Sequence, residues 1–189
     1  MNKIDYYKSL IADYLSKRNN MCCIDIITYT IEQNSLEAAI RVAVMSKNKN
    51  GKTESHQRRI YKDVYPNFQK NLINVKEKIN NAKNFDELIT IIFKHKPFGV
   101  GELFCYDVAL RIGYKLNKLP EKIYIHAGTR TGLEKLLNRK IYEETIYKHK
   151  LPEPFCSCKL TPDQLEDFLC IYKKNLSDNN LSIKGKKPC

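Results

Sequence analysis

The 189-residue chain has no tryptophan, three methionines, seven glycines and seven prolines. So little Gly and Pro excludes a collagen-like chain. With 42% hydrophobic and 29% charged residues, the balance is that of a folded globular protein rather than a disordered one. Long hydrophobic runs are missing as well, and none approaches the roughly 18 residues that a transmembrane helix needs. The start, Met1-Asn2-Lys3-Ile4-Asp5-Tyr6-Tyr7-Lys8, lacks the uninterrupted apolar core of a signal peptide. A cytoplasmic protein with no membrane partner is therefore expected. The length suits one domain, or a core domain with a small appendage.

Acidic residues are the remaining shortage. Lys and Arg number 33 against 21 Asp and Glu, a formal net charge of +12. Such an excess attracts polyanions by steering and counterion release, without specifying a sequence. Seven cations (Arg41, Lys47, Lys49, Lys52, Arg58, Arg59 and Lys62) fall in one stretch with a single anion, Glu54. Seven cysteines are an odd number, and without a secretion signal they do not read as a disulfide framework. Cys156-Ser157-Cys158, with Cys170 and His149 nearby, is the closest approach to a zinc cluster. One intervening residue is not knuckle spacing and no second compact pair exists, so no metal is expected. Cys170 fits an amphipathic helix pattern as a buried thiol.

What the chain does have is helical periodicity. Ile4, Tyr7, Leu10, Ile11, Tyr14 and Leu15 mark one face of a first helix. A second is predicted over 21–32, and a third over 36–45 with Ser35 as its cap. Residues 46–54 contain nothing apolar and predict an exposed basic loop. A helix from His56 is expected to break at Pro66, followed by another over 67–80. Asn84 caps 85–95, Pro97 ends it, and Phe98-Gly99-Val100-Gly101 turns tightly into a helix over 102–116. Residues 122–125 read as extended and 131–139 as helical. Thr161-Pro162-Asp163-Gln164 combines an N-cap, Pro at the first helical position and a capping-box Gln. The prediction is an all-α single helical domain over 1–176, with a basic tail over 177–189.

Five of the seven glycines stand at 99, 101, 113, 128 and 132, which localises the unusual backbone. The order helix, Gly99-Val100-Gly101, helix, with a small residue at Cys105, resembles the helix-hairpin-helix DNA-binding motif. In that motif alanine usually takes the place of the cysteine. Glycines let backbone amides approach a phosphate closely, and the following helix contributes its positive end. Lys94 and Lys96 flank the turn and add salt-dependent attraction. Glu102, at the first helical position, suits the helix dipole but repels a phosphate. The same pattern serves a tight corner between helices that needs small residues for packing.

Over residues 85–140 the chain looks like a small, divergent relative of the helix-hairpin-helix DNA glycosylases. In that superfamily the second hairpin helix leads through an extended piece to a catalytic Asp at the start of another helix. Here the order is kept, but His126 sits nearest the place of that Asp, at the head of His126-Ala127-Gly128-Thr129-Arg130-Thr131-Gly132. Asp107, in Tyr106-Asp107-Val108-Ala109-Leu110-Arg111, is the carboxylate that could stabilise a sugar cation or activate a water. Its structural alternative is an i,i+4 pair with Arg111, worth only about 0.3–0.5 kcal/mol if exposed. His126 is a candidate general base or phosphate ligand. Arg130, beside a helix start, suits a bidentate anion. Upstream, Gln57, Arg58 and Arg59 are types that read base edges and fill a vacated stack. Tyr61 and Tyr65, four apart, could stack on bases.

The resemblance implies DNA as partner and N-glycosidic cleavage of a flipped damaged or modified base, with no cofactor. Asp107 and His126 are then the chemical pair. Lys94, Lys96, Gly99, Val100, Gly101, Arg130, Gln57, Arg58 and Arg59 contact DNA. The alternatives are a non-catalytic DNA-binding module and a helical RNA- or protein-interaction domain.

Overall fold

A computed structural model describes residues 2–53, 57 and 63–176. Arg58, Arg59 and Tyr61 of the upstream basic cluster, and the tail over 177–189, lie outside the described residues. Among the described residues the chain is all-α, with one small two-stranded sheet. In order the elements are α1 (Lys3–Arg18), α2 (Cys22–Ile31), α3 (Leu36–Met45), α4 (Val64–Asn74), α5 (Lys76–Asn81), α6 (Phe85–Lys94), α7 (Glu102–Leu116), β1 (Ile123–Tyr124), α8 (Ala127–Leu137), β2 (Thr145–Ile146) and α9 (Pro162–Ile171). None of these helices is long and apolar enough to cross a membrane.

The helices group into two compact units, with divisions after Asn19 and after Pro120. The first joins α1 to the C-terminal elements. Asn2 caps α1 by accepting from the Asp5 amide at 2.8 Å, and Tyr6, Tyr7, Leu10, Ile11 and Tyr14 form its buried face. That face meets an aromatic cluster. Tyr7 lies 5.1 Å from Phe155 between ring centroids, Tyr14 meets Phe168 edge-on at 5.8 Å, and Phe168 stacks on Tyr172 at 4.8 Å. Tyrosine and phenylalanine thus fill the core that tryptophan does not, and the phenols need polar partners. Tyr14 donates to Asp167 at 3.0 Å and Tyr172 to Asp13 at 2.5 Å. β1 pairs antiparallel with β2, Ile123 opposite Ile146, and α8 and α9 pack together. Thr161 and Gln164 form the capping box that opens α9, with Pro162 at its first position.

In the second unit α7 is central and packs on α2, α3 and α6. Its buried face, Phe104, Cys105, Val108, Ala109 and Ile112, repeats at helical spacing. Phe104 meets Tyr65 edge-on at 5.9 Å and Phe68 at 5.8 Å. The partner helix α6 is capped by Asn84, which accepts from the Glu87 amide at 2.9 Å, and it buries Phe85, Leu88, Ile89 and Ile92. Each such side chain withdrawn fully from water contributes about 1.5–3 kcal/mol.

Three local expectations change. Pro66 does not end a helix; it is the third residue of α4, where no intrahelical N–H is required. The helix predicted over 67–80 is two, because Val75 leaves helical geometry with φ −115°. The basic loop exposes Lys47, Lys49 and Lys52 but buries Ser46 and Asn48. Asn48 organises it, its Oδ1 accepting from the amides of Asn50 and Lys52 at 3.1 and 2.9 Å.

Candidate nucleic-acid interface

The α6–α7 connection is the glycine-centred turn. Val100 donates its amide to the carbonyl of Pro97 at 3.3 Å, and Gly99 at the third position has φ +85°. This is the pattern of a type II turn, which asks for glycine at that place. Val100 is buried and pins the turn from inside, so it is not presented to a partner in the way the sequence predicted. Gly101 is the extended N-cap of α7 and no side chain caps that end. The first-turn amides of 102–104 therefore have no intrahelical acceptor. A Cβ added at Gly99 or at Gly101 would meet nothing within 4 Å, so the outer surface of the turn is open.

The flanking charges stand beside this opening. Lys96 donates from Nζ to the Val100 carbonyl at 2.8 Å, which holds one cation against the turn. Lys94, in the last turn of α6, is exposed, as is Glu102 at the start of α7. Phe98, at the second turn position, is fully exposed. Sequence reasoning placed it in the turn without assigning it a role. Cys105 is fully buried, and burial pushes its thiol up to about 12, with Glu102 and Asp107 adding to the shift against Lys96.

Asp107 and Gln57 come together. Gln57 donates from Nε2 to Asp107 Oδ2 at 2.6 Å, and its Oε1 accepts from Arg111 at 3.3 Å. The amide thus links the carboxylate to the guanidinium. Arg111 is buried, and also donates at 2.7 Å to both the Ala43 carbonyl and Ser46 Oγ at the end of α3. There it satisfies a terminal carbonyl and places positive charge on the negative helix end. Ser46 itself is a left-handed C-cap with φ +53°. The pairing expected for Arg111 is therefore a wider buried network, in which Ser46 carries no sequence signal at all.

This network removes two residues from the predicted surface set. Gln57 is 1% exposed, so its amide is not presented to base edges. Tyr65 is buried against Phe104 and donates its hydroxyl to the Gln57 carbonyl at 3.3 Å, which leaves no ring face for a base. Asp107 remains partly accessible.

His126 and Arg130 belong to the other unit. His126 is the extended N-cap of α8; its side chain is half-buried and does not cap the helix. Arg130 donates to the carbonyl of Ile141, so its guanidinium secures the segment after α8. The glycines of that segment pack rather than turn. A Cβ on Gly132 would lie 2.3 Å from the Leu169 carbonyl oxygen, and one on Gly128 would lie 2.2 Å from Cys170 Sγ. α8 accordingly begins at Ala127, earlier than the 131 predicted, and packs closely on α9. Among the described residues no three His, Cys, Asp or Glu side chains converge to hold a metal ion. Compared with known proteins, the chain matches no family model, no curated protein and no solved structure.

Proposed function

We propose that the chain binds DNA through the α6–turn–α7 hairpin, as a helix-hairpin-helix protein. The observation that carries this reading is the open turn. Two glycines with empty space over them, an uncapped helix start and two lysines form one short stretch. A phosphate placed there meets backbone amides and the positive end of α7 without steric conflict. The net charge of +12 supplies the long-range attraction such a contact needs. Glu102 opposes it, which limits affinity at the turn and leaves the lysines to set the electrostatic balance.

The test is charge reversal. Lys94→Glu with Lys96→Glu should weaken binding of the full chain to a duplex by at least about tenfold while its circular dichroism stays unchanged. Unchanged affinity in the folded double variant would end the reading.

One observation favours adding chemistry to binding: the Gln57 amide fixes the partly accessible Asp107 carboxylate on α7. Asp107 stands five residues beyond Glu102, about 8 Å along the helix. In this second reading Asp107 supports N-glycosidic cleavage of a flipped damaged or modified base. Incubation with normal, damaged and hypermodified duplexes followed by mild alkali would reveal abasic sites. Breaks with the wild type, lost in Asp107→Asn at retained DNA binding, are the expected result. No breaks with any substrate would leave binding alone.

A further inference from the structure

We infer that Phe98 is a stacking wedge, and that the hairpin engages DNA where a base is missing or unstacked in preference to intact duplex. The inference rests on the DNA-binding reading and specifies its partner. Of the seven phenylalanines, Phe68, Phe85, Phe104, Phe155 and Phe168 are buried and Phe93 is half-buried, whereas Phe98 is fully exposed. Its exposure is built into the turn. Val100 faces the core, its amide closes on the Pro97 carbonyl, and the positive φ of Gly99 reverses the chain directly after Phe98. The ring thus stands at the corner of a fixed turn rather than on a loose loop.

Its neighbours select the partner. Lys96 is held across the turn to the Val100 carbonyl, Lys94 is exposed, and Gly99 and Gly101 add no bulk around the ring. An apolar protein partner would be met by these two cations at the rim. A nucleic acid offers the ring a base to stack on and the lysines phosphates to pair with. Intact duplex hides its base faces, and opening a step to admit an apolar wedge requires unstacking. At a gap or an abasic site that step is already open, so the ring gains its stacking partner without the opposing term.

The test compares the full wild-type chain with Phe98→Ala and Phe98→Trp on two short DNAs of one sequence. One is intact duplex and the other carries a single abasic analogue with 2-aminopurine beside it. Wild type should bind the abasic DNA about tenfold more tightly and change the 2-aminopurine fluorescence. Phe98→Ala should lose the preference and the fluorescence change while keeping its duplex affinity, and Phe98→Trp should retain both. Since the side chain touches solvent alone, the substitutions leave the core intact. Equal binding of both DNAs by wild type, or an unchanged preference in Phe98→Ala, overturns the wedge but leaves the hairpin reading standing. Binding of neither DNA overturns both.

Discussion

Removing the guanidinium of Arg111 would leave the Ala43 carbonyl, Ser46 Oγ and Gln57 Oε1 without their common donor. Buried groups stranded in this way are costly, and Arg111→Met should destabilise the protein by about 3 kcal/mol in urea unfolding. Arg111→Lys should recover little, since a single ammonium cannot reproduce a planar fork that reaches three acceptors. Cys105 gives a second check. A thiol buried and raised to about 12 should resist alkylation in the native protein at mildly alkaline pH and react only after unfolding. Asp13 gives a third. Burial pushes its carboxyl up, but hydrogen bonds from Lys17 and Tyr172, with the Lys17 charge, outweigh that and hold it below its ordinary value. Its contribution is therefore present above about pH 4 and lost as pH falls through the lowered value, so Asp13→Asn should flatten the acid limb of a stability profile. At this scale the sequence makes Asp107 and Arg111 visible through their i,i+4 spacing. It does not reveal Gln57 as the bridge between them, because that contact spans 50 residues and leaves no periodic trace.

Glycine has opposite meanings in two places. In the α6–α7 turn it opens space, and in α8 it removes bulk so that α9 can approach. Gly132→Ala gains about 1 kcal/mol of helix propensity. The new Cβ would meet a backbone oxygen at 2.3 Å, which cannot rotate away, and overpacking of this kind costs about 1–3 kcal/mol. The clash should win, lowering the thermal midpoint, and a raised midpoint would show that α8 and α9 separate easily. Sequence periodicity finds α2, α3, α6 and α7 nearly to their ends, since each has an apolar stripe, and Ser35, Asn84 and Thr161 announce the starts of α3, α6 and α9; a reading of α9 to Asn175 overruns its end at Ile171. It misplaces the start of α8, where two glycines required by packing look like a loop. It also joins α4 to α5, because the break at Val75 is made by backbone geometry and not by a breaking residue.

Across the whole molecule the helices divide into two units, and the N-terminal helix belongs with the C-terminal elements. No linker composition marks either division. Asn19-Asn20 is a single polar pair, and Pro120 looks like any turn residue. The carboxylate of the proposed chemistry, Asp107, lies in the second unit. So do the residues of the proposed binding, Lys94, Lys96, Phe98, Gly99 and Gly101. The net charge of +12 alone would give salt-sensitive attraction to any polyanion. What separates a hairpin from diffuse charge is therefore the local share of the salt dependence. The decisive measurement is the slope of log affinity against log salt concentration for duplex DNA, wild type against Lys94→Gln with Lys96→Gln. If the hairpin holds the phosphates, the slope should fall by about 0.9 for each phosphate no longer neutralised, close to two in all. An unchanged slope in the folded variant would place the DNA elsewhere on the protein and contradict the account.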